Sequence, residues 1–228
     1  MKNTQFLKSN IKDGYHLNSK YWQNYKKMRP SLSKELFGIA VGCLLGDANF
    51  YRVSKHAKIK FEQGFIHKEY LFHLFELFKI YTFHSKPYTR LEIRGQRKGQ
   101  IKSYSFRTFT HSTFNELYDL FIIDKRKSIK QGLILNYLTE KGLAFWIMDD
   151  GSLQKDKKSL IIHTQSYIES EVKLLSTELN QKFNLHSRVI PHKIKYYVIF
   201  IPSQDAKCLY NLIAPHIYFS MFYKLPIL

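Results

Sequence analysis

The chain of 228 residues is short of acids, of cysteine and of long apolar runs, and each shortage closes off a class of function. Its two cysteines, Cys43 and Cys208, lie far apart, each within an apolar helical pattern. They read as buried free thiols, cannot form a thiolate metal site, and suit a reducing compartment. No apolar run reaches the ~20 residues a spanning helix needs; the nearest, Leu36–Leu45, has about half that length, so no membrane partner is expected. Residues 1–17 carry neither the apolar core of a secretory signal nor the Arg- and Ser-rich pattern of a transit peptide. The ten histidines show no zinc spacing. No glycine-rich loop ends in Gly-Lys-Ser/Thr, which argues against nucleotide hydrolysis.

What is present is base. Lys and Arg number 36 against 18 Asp and Glu, for a net charge of +18, and an excess of that size points to a polyanionic partner, nucleic acid before membrane. With 44% hydrophobic residues, 18 Phe and 16 Tyr, the chain can bury a real core, and its length suits one large domain or two small fused ones. Lys, Asn, Ile, Tyr and Phe are all served by A/T-rich codons. Their abundance points to an organellar genome, mitochondrial before plastid.

Read along its length, the chain begins with a basic segment, residues 1–30, expected to be an arm or short leading helix that touches phosphate. Ser33 then caps a helix running through the apolar stretch to Asp47. Strands are expected at Asn49–Val53 and Lys58–Gln63, a helix over His67–Tyr81, strands at Lys86–Gly95 and Ile101–Thr110, and a helix over Ser112–Ile122. The same order returns: a helix over Thr139–Asp149, strands at Ser152–Gln154 and Leu160–Gln165, a helix over Glu169–Phe183, strands at His186–Ile190 and Lys195–Ile201, and a helix capped by Ser203. This duplication predicts an α+β fold of two pseudo-symmetric αββαββα halves, 31–133 and 134–228, each with a curved antiparallel sheet. Lys58, Lys60 and Glu62 alternate with Ile59 and Phe61, and Arg90, Glu92 and Arg94 with Leu91 and Ile93. One face is charged and one apolar; an ordinary solvated antiparallel sheet alternates in the same way, and the charge balance of +18 favours a ribbon lying in a DNA groove. Lys102, Arg107, Arg188, Lys193 and Lys195 extend the candidate DNA-binding set.

Two expected helices end in acids. The first carries Gly38, Gly42 and Gly46 four apart on one face and runs into Asp47; the second runs Leu143-Ala144-Phe145-Trp146-Ile147-Met148-Asp149-Asp150-Gly151. Glycine weakens a helix by about 1 kcal/mol relative to Ala, so three on one face imply close approach of another helix. Asp150 lies 103 residues after Asp47, and Gln165 lies the same 103 after Glu62, giving each acid an expected polar neighbour on a strand. A lysine comes late in each half: Lys127 in Lys125-Arg126-Lys127-Ser128 and Lys224 in Tyr223-Lys224-Leu225-Pro226.

These segments resemble the two motif helices of the single-chain LAGLIDADG homing endonucleases. Gly42, Gly46 and Asp47 match the first motif. Leu143, Ala144, Asp150 and Gly151 match the second, with Phe145 where the family usually has a small residue. The resemblance covers nearly all the chain after residue 30. It implies a monomer that cleaves both strands of a long, non-palindromic DNA duplex, leaving short 3′ overhangs and starting the copying of an intron. It implies Asp47 and Asp150 as metal ligands helped by the carbonyls of Gly46 and Asp149, with Lys127 and Lys224 balancing charge or polarising water at the phosphate. Glu62 and Gln165 are further candidates for positioning that water. Hard oxygen donors suit Mg²⁺, with Mn²⁺ as a substitute. Two other readings share the fold: a maturase that binds its intron RNA, and a DNA-binding relative without activity. The retained acids favour cleavage.

Overall fold

The computed structural model describes residues 16–228; the beginning of the expected arm, residues 1–15, lies outside the described residues. The elements in chain order are α1 (Lys20–Lys27), α2 (Lys34–Leu45), β1 (Asn49–Val53), β2 (His56–Gly64), α3 (Lys68–Phe78), β3 (Tyr88–Leu91), β4 (Ile101–Arg107), α4 (Asn115–Phe121), β5 (Ile122–Ile123), β6 (Arg126–Lys127), α5 (Leu133–Tyr137), α6 (Glu140–Asp150), β7 (Gly151–Leu153), β8 (Leu160–Ile162), α7 (Glu169–Phe183), β9 (Arg188–His192), β10 (Tyr196–Ile201) and α8 (Ala206–Ile213). The two four-stranded sheets are antiparallel and share one topology, β1-β2-β4-β3 and β7-β8-β10-β9. That is the duplication read from the sequence. No described helix is long and apolar enough to cross a membrane.

The contacts divide the chain into two compact units, one of residues through Ser31 with Asp47–Asn115, the other of Leu32–Gly46 with Glu116–Leu228. In the first, α3 lays Leu71, Leu74, Phe75 and Phe78 on the apolar face of the sheet, where Phe61 stacks on Phe106 at 4.6 Å between ring centroids. Trp22 anchors α1 in the same core, wholly buried 4.8 Å from the Phe83 ring. In the second unit, α2 and α6 form a packed pair, and α7 buries Val172, Leu175 and Leu179. Helix α7 also grips the segment that leads from one half of the sequence to the other. Buried Glu178 accepts from the backbone N–H of Gly132, Ile134 (2.9 Å) and Leu135 (3.3 Å), satisfying the N-terminus of α5. Lys182 donates to the Ile134 and Leu135 carbonyls at 2.9 and 2.7 Å. Glu171 accepts from Arg126 and the Ile129 N–H at 3.0 and 3.2 Å.

Several expected boundaries move. A register shift between Arg90 and Leu91 ends β3 at Leu91, so the expected alternation through Gly95 breaks and Arg94 sits in a loop. Lys193 and Lys195 lie in the β9–β10 turn, with Lys193 at φ 56°. Ser203 opens a 3-10 turn ahead of α8 and makes no cap bond there. Cys43 is buried and Cys208 half-buried, both free.

Candidate active site

The site rests on α2 and α6. Ser33 Oγ accepts from the Leu36 N–H at 3.1 Å and Thr139 Oγ1 from the Gly142 N–H at 3.0 Å, so each helix starts at a capped turn. Their seam has no room for a side chain at its glycines. A Cβ on Gly42 would lie 2.0 Å from the Gly142 carbonyl oxygen, one on Gly142 2.4 Å from the Gly38 carbonyl oxygen, and one on Gly46 2.6 Å from Asp149 Cβ. The two backbones therefore touch at Gly38, Gly42 and Gly142, while at the two ends of the contact Gly38 and Gly46 also make room for the side chains of Thr139 and Asp149. The glycine of α6 that meets α2 is Gly142, one turn before Phe145, and Phe145 is wholly buried in the core.

A lysine closes the end of each helix. Lys127 Nζ, from β6, donates to the Gly46 carbonyl at 3.2 Å. Buried Lys224, the last residue of a 3-10 helix Phe219–Lys224, donates to the carbonyls of Ile147 (3.3 Å), Met148 and Asp149 (3.1 Å). Cations belong where helix carbonyls run out of partners. The equivalence read from the sequence is thus an equivalence of contact: each lysine reaches the carbonyl expected to assist a metal. Tyr167 completes the end of α2, its hydroxyl donating to the Leu45 carbonyl at 2.9 Å and its ring centroid 5.5 Å from Lys127 Nζ. Burial first, then the charges of Asp150 and Glu171, push this phenol well above its ordinary pKa, so it remains a donor.

The strand neighbours of the two acids differ from expectation. Asp47 lies just past the Gly46 cap of α2 and is exposed. Its Oδ2 accepts from Gln63 Nε2 at 2.9 Å, one residue along from the expected Glu62. Strand alternation puts Gln63 on the buried face of β2 and Glu62 on the other, where Glu62 meets Lys60, Arg90 at 3.1 Å and Ser103 at 2.7 Å. Burial alone would raise the Glu62 carboxyl, but the bonds from Lys60, Ser103 and Arg90 outweigh it and hold the pKa at about 2. The constant offset of 103 also fails on the strands. Asn49 pairs with Lys60 and Gly151 with Ile162; following the ladders back sets Glu62 level with Asp47 and His163, not Gln165, level with Asp150. The cause lies at the helix ends: α2 stops at Leu45 and turns before β1, whereas α6 runs straight into β7. His163 donates its N–H to the Asp150 carbonyl at 3.0 Å. Its ring lies 2.8 Å from Ser152 Oγ and 3.1 Å from Gln165 Nε2. Burial, with His192 and Lys224 nearby, lowers the His163 pKa.

Of the expected DNA-binding residues, Lys58, Lys60, Arg90 and Arg107 share one face of the first sheet, as the pairing of Lys60 with Arg107 and of Arg90 with Ser103 requires. Glu92 and Lys102 form an ion pair at 2.8 Å beside the register shift between β3 and β4. On the second sheet Arg188 lies over the Phe200 ring at 4.9 Å, among His163, His192 and apolar side chains, so that face is far less cationic than the first.

Asp47, Asp150 and the carbonyls of Gly46 and Asp149 offer only hard oxygen. No group of three or more His, Cys, Asp or Glu gathers among the described residues. Mg²⁺ requires no such group, since it takes one or two carboxylates and completes its shell with water and phosphate. The donor chemistry fits such an ion.

Residues 37–209 match the model of the LAGLIDADG DNA endonuclease family, and the chain belongs to that family. It is 36% identical over 215 residues to "Probable intron-encoded endonuclease 1" of Wickerhamomyces canadensis, covering 91% of each protein. It is 33% identical to "Cytochrome b mRNA maturase bI2" of Debaryomyces hansenii, over 85% of this chain and 74% of that one. Among solved structures, the homing endonuclease I-WcaI bound to its DNA recognition sequence is similar at a TM-score of 0.86 and 36% identity, with 93% of this chain and 95% of that one covered.

Proposed function

We propose that the protein is a monomeric, metal-dependent homing endonuclease that hydrolyses both strands of a long, asymmetric DNA duplex and so starts the homing of its intron in an organelle, the mitochondrion before the plastid. The observation that carries this reading is the paired construction of the helix ends: an acid at or just beyond each end, and a lysine donating to the carbonyl beside it, Lys127 to Gly46 and Lys224 to Asp149. One such end would be an ordinary capped helix. Two, in duplicated contexts on a chain of charge +18, suit a reaction that must break two phosphodiesters.

Asp47 and Asp150, with the carbonyls of Gly46 and Asp149, would supply oxygen ligands to divalent metal, Mg²⁺ or in its place Mn²⁺, which when bound would neutralise charge on the attacked phosphate and activate water. Gln63 keeps the Asp47 carboxylate oriented as an acceptor. Lys127 and Lys224 hold positive charge beside the phosphates. The basic face of Lys58, Lys60, Arg90 and Arg107 binds the backbone and base edges of one half-site, and Arg188, Lys193 and Lys195 serve the other. Binding of this kind weakens steeply with salt.

Similarity to a protein named as an mRNA maturase supports a second reading, RNA binding in intron splicing. Asp47→Asn and Asp150→Asn separate the two. Each variant should lose metal-dependent cutting while keeping duplex affinity; equal loss of cutting and binding would remove the acids from the catalytic role. Tight binding of intron RNA by a protein that never cuts DNA would favour the maturase.

A further inference from the structure

Where the charged face of the first sheet meets α1 there is a pocket of about 320 Å³ whose chemistry is one-sided. Lys58 and Arg107 reach it from β2 and β4, and Lys26 from α1. No carboxylate is among the described residues that line it, and none of these three cations forms an ion pair with a described residue. Lys26 is held in place: Nζ donates to Thr110 Oγ1 at 3.1 Å and stands 5.6 and 5.7 Å from the ring centroids of Phe83 and Phe109. Burial first, then the neighbouring charge, lowers the pKa of Lys26 beside Lys58 and of Lys58 beside Arg107. Like charges gathered in a partly desolvated pocket weaken the fold unless an anion joins them. Such an arrangement serves a ligand better than it serves the core.

We infer that this pocket takes a phosphate group of duplex DNA, so that α1 extends the footprint of the first half beyond the strands. The pocket continues the face on which Arg107 stands across from Lys60, so a backbone lying along that face leads into it. The aromatic rings steer Lys26, and the anion meets three donors from three elements. This rests on the DNA-binding reading, and the shared chemistry could also be met by free inorganic phosphate.

The test uses the full chain, a fluorescent DNA duplex and a series of KCl concentrations. Lys26→Met keeps the apolar stem between the two rings and removes the charge; Arg107→Gln is an independent second variant. Each should lower the slope of log affinity against log salt by about 1 and weaken unrelated duplexes equally, as loss of one phosphate contact does. The urea midpoint of each variant is measured without DNA, so that a slope is read only from folded protein. If the unaltered protein binds duplex and neither variant changes the slope, the pocket assignment falls while the endonuclease reading stands. If the unaltered protein binds no duplex, both fall. Inorganic phosphate that raises the thermal midpoint only when Lys26 is present, with an unchanged DNA slope, would make this a free-phosphate site and overturn the assignment. A slope change confined to an RNA hairpin would overturn it in favour of RNA.

Discussion

Gly42→Ala separates a structural glycine from a tolerated one by the sign of its effect. On an open helix surface the change stabilises by about 1 kcal/mol, since Ala is the better helix former. Here the added Cβ would stand 2.0 Å from the Gly142 carbonyl oxygen and 2.7 Å from its carbon, whereas an unstrained carbon–oxygen contact needs about 3.3 Å. The obstacle is backbone, with no rotamer to turn away, so α2 and α6 must part by an ångström or more. A gap that wide forfeits a quarter to a half of each facing dispersion contact. Overpacking costs about 1–3 kcal/mol where side chains can adjust; with backbone in the way the net loss should be near the upper end, about 3 kcal/mol. For a chain of this size that lowers the thermal midpoint by about 6–12 °C. Midpoints followed by circular dichroism, in heat and in urea, check it. Because Gly46 ends the same seam, nuclease activity below the midpoint should fall too. An unchanged or higher midpoint would refute the seam as described.

Other outcomes follow from the same structure. Glu178→Gln takes the charge from a buried acceptor of three backbone N–H groups and should destabilise by about 1–3 kcal/mol, read as a lower urea midpoint with duplex affinity per folded molecule unchanged. Lys127→Met and Lys224→Met should each lower the cleavage rate at saturating DNA more than they weaken binding; Lys224→Met should also lose stability, because its ammonium closes three carbonyls. Burial, then the Arg107 charge, lowers the His84 pKa to about 4. The unfolded chain takes up this proton near pH 6.5, so the stability is complete above that pH and is lost as pH falls toward 4. The His84→Gln protein should therefore show a flatter midpoint between pH 6.5 and 4 than the unaltered chain. Glu62 acts lower on the scale: with its pKa at about 2, its contribution is present above about pH 4.5 and lost as pH falls toward 2.

How far the sequence could be read depended on the length scale of each feature. Helix starts at Ser33 and Thr139 are local chemistry, visible because an oxygen side chain stands just before an apolar run. The glycine seam is visible because a spacing of four survives in sequence as one face of a helix. The two acids followed from those helices, and the resemblance supplied the lysines. What stayed hidden has no period. Strands β5 and β6, two residues each, are too short to alternate, yet they carry Lys127 to Gly46. Helix α5, five residues long, is held by Glu178 from far along the chain, and a buried acid reads in sequence as a surface one. Gln63 could have been preferred to Glu62 from parity alone, since it shares the buried face with Phe61. Tyr167 leaves no comparable trace, because its bond to Leu45 spans 122 residues. The offset of 103 failed on β8 because one helix ends in a turn and the other in a strand, a difference that identity of residues does not reveal.

Metal-dependent cleavage at one long asymmetric DNA site is measured by incubating the purified chain with a pooled, randomised duplex library, with Mg²⁺ or with EDTA, and sequencing the ends produced. The ends should require the metal and converge on a single long, non-palindromic consensus. Tight duplex binding with no metal-dependent ends would show a DNA-binding protein without nuclease activity.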